Sequence, residues 1–173
     1  MSERSRIRVR TLGWFLLFPL PLIGILPWWL HRRLEGPFSF EWRLGQWGGI
    51  WLILNGLGLA GWCVYLFNTE GQGTPVPLDP PKRFVVKGPY RFVRNPMMLG
   101  LLLVLAGEAA LYRSRAVLLY LLLAMTVMHL FVCLWEEPDL QRRFGTPYDA
   151  YRKTVPRWLP RRPISSAHQP TKR

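Results

Sequence analysis

Four apolar runs, at 11–30, 47–67, 97–112 and 116–135, alternate with segments rich in arginine, lysine and proline. That alternation decides what the chain can become. A helix crosses a ~30 Å hydrocarbon core with about 20 apolar residues. Three runs reach that length, while 97–112 falls slightly short, so its start should lie inside the interface. The expected fold is all-α: a polytopic membrane helical bundle of about four spans, forming a single domain over 1–173. Half of the residues are hydrophobic and the net charge is +13. A basic nucleic-acid-binding protein would leave the apolar runs with no soluble fold to bury them, so the expected partner is the lipid bilayer and no nucleic acid.

The first run is too long for a signal-peptide core and is read as a retained span, bent by Pro19, Pro21 and Pro27. Within the second run, GLGLAG at 56–61 matches a dinucleotide-binding pattern. Its glycines lie midway along an apolar helix, however, so packing through Gly56 and Ala60 explains them better. A proline-rich loop at 68–96 follows, interleaving Lys82, Arg83, Phe84, Lys87, Tyr90, Arg91, Phe92 and Arg94 as a structured cap would. Only Arg113, Ser114 and Arg115 separate the third and fourth runs, which predicts a helical hairpin. With the N-terminus inside, 18 of the 23 lysines and arginines fall on the inner side. The positive-inside rule then puts both termini and the long loop in the cytosol, at a bacterial inner membrane or the endoplasmic reticulum. Beyond the fourth run, 136–160 should form a C-terminal cap in which Tyr148, Tyr151, Val155 and Trp158 line an amphipathic surface helix. Residues 161–173 read as a basic tail. Cys63 and Cys133 lie in apolar runs and suit neither a disulfide framework nor a metal site.

The hairpin brings two polar junctions to one face. At GPYRFVRNPMMLG, Asn95 suits an N-cap and Pro96 the first helical position, leaving the amides of Met97, Met98 and Leu99 open to an anion. At WEEPD, Glu136 and Glu137 follow the fourth run at once. Arg94 and the helix-start amides suit a carboxylate or phosphate, the glutamates suit hydroxyls or an ammonium, and the nearby aromatic rings suit a base or an onium charge. S-adenosylmethionine offers all of these groups. Two glutamates at that position would equally serve as caps of the next helix. His129, two turns before Glu136, is either a proton acceptor facing the site or a histidine hydrogen-bonded within the bundle. Glu108 is expected to pair with Arg113 or Arg115 at the outer interface.

These two motifs resemble those of the integral-membrane methyltransferases that include isoprenylcysteine carboxyl methyltransferase and the phospholipid N-methyltransferases. GPYRFVRNPMMLG is similar to that family's G-x-Y-x-x-x-R-(H or N)-P-x-Y-x-G, and the chain from Trp135 to Pro160 is similar to its E-E-x-x-L-x-x-x-F-G-x-x-Y-x-x-Y pattern. The resemblance covers roughly 82–160. It implies S-adenosylmethionine as cofactor, bound by Lys82, Arg83, Phe84, Val85, Tyr90, Asn95, Pro96, Met97, Met98, Gly100 and Glu136, with Glu137 as the partner acid. It also implies direct methyl transfer to an oxygen, nitrogen or sulfur of a lipophilic, phospholipid or lipidated acceptor reached from the bilayer. Met98 stands where the family usually has tyrosine. Asn95 is closer to the phospholipid enzymes than to the prenylcysteine ones, and Val132 replaces the latter's substrate-binding arginine. An NADPH-dependent reductase related to the sterol reductases, or a non-catalytic protein on the same scaffold, is the alternative.

Overall fold

The computed structural model describes Gly13, Leu17 and residues 19–71 and 84–161. The start of the first apolar run, Lys82 and Arg83, and the tail from 162 lie outside the described residues. All regular structure among the described residues is helical. A π-helical turn, Pro21–Ile25, runs into α1 (Leu26–Leu34), followed by α2 (Leu44–Leu66), α3 (Pro96–Tyr112), α4 (Arg115–Phe131), α5 (Glu137–Phe144) and α6 (Thr146–Thr154). Two wide turns extend this framework. Phe67–Gly71 prolongs α2, and Val132–Glu136 joins α4 to α5. The second ends just before Pro138, which has no amide to offer a regular ladder.

Two helices are long and apolar enough to cross a membrane, Leu44–Gly71 and Arg115–Phe144. The apolar α3 is shorter, about 25 Å at ~1.5 Å per residue. Leu118, Leu119, Leu122, Leu123, Val127 and Leu130 of α4 are exposed on the chain itself. Lipid is the medium in which such a face costs nothing.

Helices α2 and α3 are antiparallel and meet backbone to backbone. A Cβ on Gly49 would lie 2.6 Å from the Gly107 carbonyl oxygen, and one on Gly56 would lie 2.5 Å from that of Gly100. The reverse contacts are as close, Gly100 reaching Gly56 and Ala60, and Gly107 reaching Gly49. Small residues that admit such an approach let dispersion and weak backbone contacts hold two helices together where no hydrophobic drive exists between them. The glycines of GLGLAG are therefore packing residues inside α2.

At the far end of this pair the hairpin turns as its sequence predicts. Arg113 takes the left-handed conformation (φ 54°), and the Ser114 hydroxyl accepts from the Val117 amide. Glu35, a residue distant in sequence, completes the cap: its Oε1 accepts from the amides of Arg115 (2.8 Å) and Ala116 (3.1 Å). Gln46 is buried and fully engaged, accepting from the Glu41 amide and donating to the Ser39 and Leu111 carbonyls. The pairing expected for Glu108 is not made. Glu108 is buried with Oε2 lacking a hydrogen-bond partner, while Arg113 binds Glu41 at 3.1 Å. The turn aims Arg113 back toward the 31–46 connector rather than down α3.

Candidate functional site

The start of α3 and the end of the long α4–α5 helix are brought together at one end of the bundle. Arg94 Nη1 lies 2.8 Å from Glu137 Oε1, and Arg157 grips the same carboxylate through Nε (2.8 Å) and Nη2 (2.9 Å). Arg94 and Glu137 are nearly sealed from solvent, with side chains 11% and 10% exposed. A carboxylate between two guanidiniums in so dry a place ties three segments of chain together: the loop, the helix end and the C-terminal strap made of α6 and residues 155–161.

The loop is built inward. Gly88 has φ +55° and packs against Trp62 and Leu66, opening the short 3₁₀ turn Gly88–Arg91 that buries Tyr90. Tyr90 sits with Cys63, Leu66 and Val85, edge-on to Phe67 and against Met97. Burial pushes its hydroxyl well above the usual phenol range, reinforced by Cys63 and by the nearby Glu136 carboxyl. Tyr90 is thus a neutral hydroxyl close to Glu136. Its backbone oxygen accepts from the Tyr151 hydroxyl at 2.7 Å.

The strap closes over this loop through main-chain bonds. The Arg94 amide donates to the Pro156 oxygen (2.8 Å), and the Arg161 amide to that of Phe92 (3.1 Å). Trp158 Nε1 donates to His129 Nδ1 at 3.0 Å. Tyr148, Tyr151 and Val155 pack with Phe84, Leu140 and Phe144. The stripe assigned from sequence to a membrane surface is instead spent on the loop, because Phe84 supplies an apolar partner within the chain.

Several sequence-predicted roles change as a result. Asn95 holds the N-cap position but makes no side-chain cap; its Nδ2 donates to the Arg157 carbonyl at 3.2 Å. The first-turn amides of Met97 and Met98 therefore remain without a side-chain cap. Arg94 lies against Glu137 through Nη1, while its Nε and Nη1 are enclosed with no hydrogen-bond partner. Phe84, Val85 and Gly100 have packing roles in the loop and the α2–α3 seam. Pro96 is buried at the helix start. Neither glutamate caps α5. Glu136 is half-buried and its Oε2 is wholly enclosed with no hydrogen-bond partner. That oxygen is the polar atom at this junction most in need of a donor. His129 is exposed and engaged by Trp158, with Nε2 3.6 Å from Cys133 Sγ. Sequence reasoning overlooked Arg157, since nothing in its spacing ties it to a residue twenty positions earlier.

A model of the phospholipid methyltransferase family matches residues 44–147, well over half of the chain. Methanethiol S-methyltransferase 2 of Bradyrhizobium diazoefficiens is 39% identical over 72 residues, which is 42% of this chain and 27% of that protein. The matched part thus spans about a quarter of that relative's length. No solved structure matches. The matched region contains both α2 and α3, the loop, the Glu136–Glu137 junction and the start of α6, so both helix ends that meet here lie inside it: the chain is a member of the phospholipid methyltransferase family.

Proposed function

We propose that the protein is an S-adenosylmethionine-dependent membrane methyltransferase whose donor site lies where α3 begins and the α4–α5 helix turns acidic, beneath the strap. The observation that carries this reading is the enclosed, unpartnered Glu136 Oε2 beside Tyr90 and the uncapped start of α3. A carboxylate oxygen in that state fits the ribose hydroxyls or the ammonium of the donor, and the Met97 and Met98 amides fit its carboxylate. Bound there, S-adenosylmethionine would supply a methyl group on a positive sulfur.

The chain's own part is positioning and water exclusion. The Arg94–Glu137–Arg157 cluster fixes the loop on the helix ends, Tyr90 and Phe84 fill the space beneath it, and the strap shuts it from solvent. An in-line displacement depends chiefly on such alignment. The inner leaflet's side of a four-span bundle, with both termini cytosolic, suits this arrangement, and a lipophilic or membrane-dissolved acceptor would arrive from the bilayer. Sulfur is the acceptor atom to examine first, because the 39%-identical relative is named for a thiol.

The reading is tested by transfer of a labelled methyl group from S-adenosylmethionine in membranes containing the protein, offered a small thiol and a phospholipid amine in parallel. Transfer to one of them, reduced at least tenfold in Glu136→Gln, is expected. No transfer to any thiol, amine or carboxylate acceptor, with NADPH bound instead, would contradict it.

A further inference from the structure

Two residues other than glycine hold a positive φ among the described residues, Trp42 (57°) and Arg113 (54°). Arg113 ends α3 and turns the hairpin, a usual place for the left-handed conformation. Trp42 ends no helix; it lies in the connector just ahead of α2. A bulky side chain on such a backbone is strained, and it persists only where the surroundings enforce it. They do so here. Glu41 is held by Arg43 Nε (2.7 Å) and Arg113 Nη1 (3.1 Å), and its amide donates to the buried Gln46 side chain (2.8 Å).

The ring presented by this turn gains little from the chain itself, since Trp42 is 72% exposed. Its contacts are with two other rings, Phe40 at 5.1 Å and Trp47 at 5.5 Å between centres, and Phe40 meets Trp47 at 5.7 Å. A strained backbone that holds an indole out in water is unfavourable on both counts, so the arrangement calls for a contact outside the chain.

The surroundings choose the kind of contact. Trp47 begins an exposed stripe along α2 that Trp51 and Leu54, each 64% exposed, continue at helical spacing. That helix is long and apolar enough to cross a bilayer, so the three rings end a lipid-facing surface. Beside them stand Glu41 and Arg43, with side chains 41% and 61% exposed. Hydrocarbon does not accept such charges, and an apolar protein partner would strip them of water. The headgroup layer suits both kinds of group: indole bodies rest against the lipid chains with their N–H toward polar atoms, and the charges stay hydrated.

We propose that Phe40, Trp42 and Trp47 form an anchor seated in the headgroup layer of the membrane face away from the donor site, fixing the depth at which α2 enters the bilayer. The strained turn brings the Trp42 ring onto Trp47, so that the anchor and the α2 stripe are one surface. The anchor depends on α2 crossing the membrane and not on the methyl-donor site.

The protein is labelled with fluorotryptophan, reconstituted in lipid nanodiscs and observed by fluorine NMR. The signals lost in Trp42→Phe, Trp47→Phe and Trp51→Phe assign the three rings. Nitroxides at the glycerol end or the methyl end of an acyl chain, and a gadolinium chelate in the water, report depth. Trp42 and Trp47 are expected to broaden at least twofold more with the glycerol-end nitroxide than with either other probe. Stronger broadening by the chelate would put the rings in water, and stronger broadening by the methyl-end nitroxide would put them in hydrocarbon. No broadening by any probe would mean that protein, such as a second copy of the chain, covers them. Each of these three results overturns the proposal. Trp42→Gly suits the positive φ, so it removes the ring while keeping the turn, with circular dichroism as the check on folding. It should change the ratio of the two nitroxide effects at Trp51 at least twofold, and an unchanged ratio would show that the rings do not set the depth of α2. No sample contains S-adenosylmethionine, so the outcome is independent of the donor-site reading.

Discussion

Glu137 shows how much one side chain can organise. It accepts two hydrogen bonds from the Arg157 guanidinium and lies 2.8 Å from that of Arg94, on segments far apart in sequence, with Arg94 and Glu137 almost wholly out of water. Removing one partner of such a cluster strands the others, which typically costs about 3 kcal/mol or more. Glu137→Gln is therefore expected to lower the thermal midpoint in detergent markedly, followed by loss of helical circular dichroism. The neighbouring Glu136→Gln should leave the midpoint nearly unchanged, since Glu136 Oε2 makes no hydrogen bond in the protein. Equal midpoints for the two variants would show that the ion cluster does not hold the strap. Adjacent carboxylates thus differ: one closes the structure and the other keeps an enclosed oxygen without a donor.

The α2–α3 pair is the element on which the rest is hung. Its glycines recur seven residues apart on both helices, so each faces its counterpart on the same seam. Gly58 lies on the same helix as Gly56, but its added Cβ would meet nothing within 4 Å. Gly56→Leu should therefore force the helices apart at a cost of about 1–3 kcal/mol, whereas Gly58→Leu should be close to neutral. Comparing their unfolding in detergent checks this, and similar losses in both would refute the seam. Much of this element was legible in advance: the apolar runs, the hairpin turn and the role of Gly56 and Ala60 follow from local pattern. The pairing of Gly49 with Gly107 was not, because a seam between two helices depends on their relative rotation, which no single run encodes. The strap was misjudged for a related reason. Tyr148, Tyr151 and Val155 show a helical apolar face, but periodicity does not say whether lipid or Phe84 covers it.

Among the described residues of the whole molecule, the ion pairs gather at the two ends of the bundle. One end is closed by Arg94, Glu137 and Arg157, and the other holds the Arg113–Glu41 pair at the hairpin turn. The motifs around Asn95 and Glu136 could be placed at one end from sequence because a hairpin must return the chain to its starting face. The bonds of the Arg94 amide and the Asn95 side chain to the Pro156 and Arg157 carbonyls were not legible, since main-chain acceptors carry no residue signature. The central claim is that the joined helix ends form a site for S-adenosylmethionine. Isothermal titration of the detergent-purified protein tests it most directly: S-adenosylmethionine should bind, at least tenfold more weakly to Glu136→Gln, and NADPH should not. Binding of NADPH in its place, or equal affinity of wild type and Glu136→Gln for the methyl donor, would contradict the account.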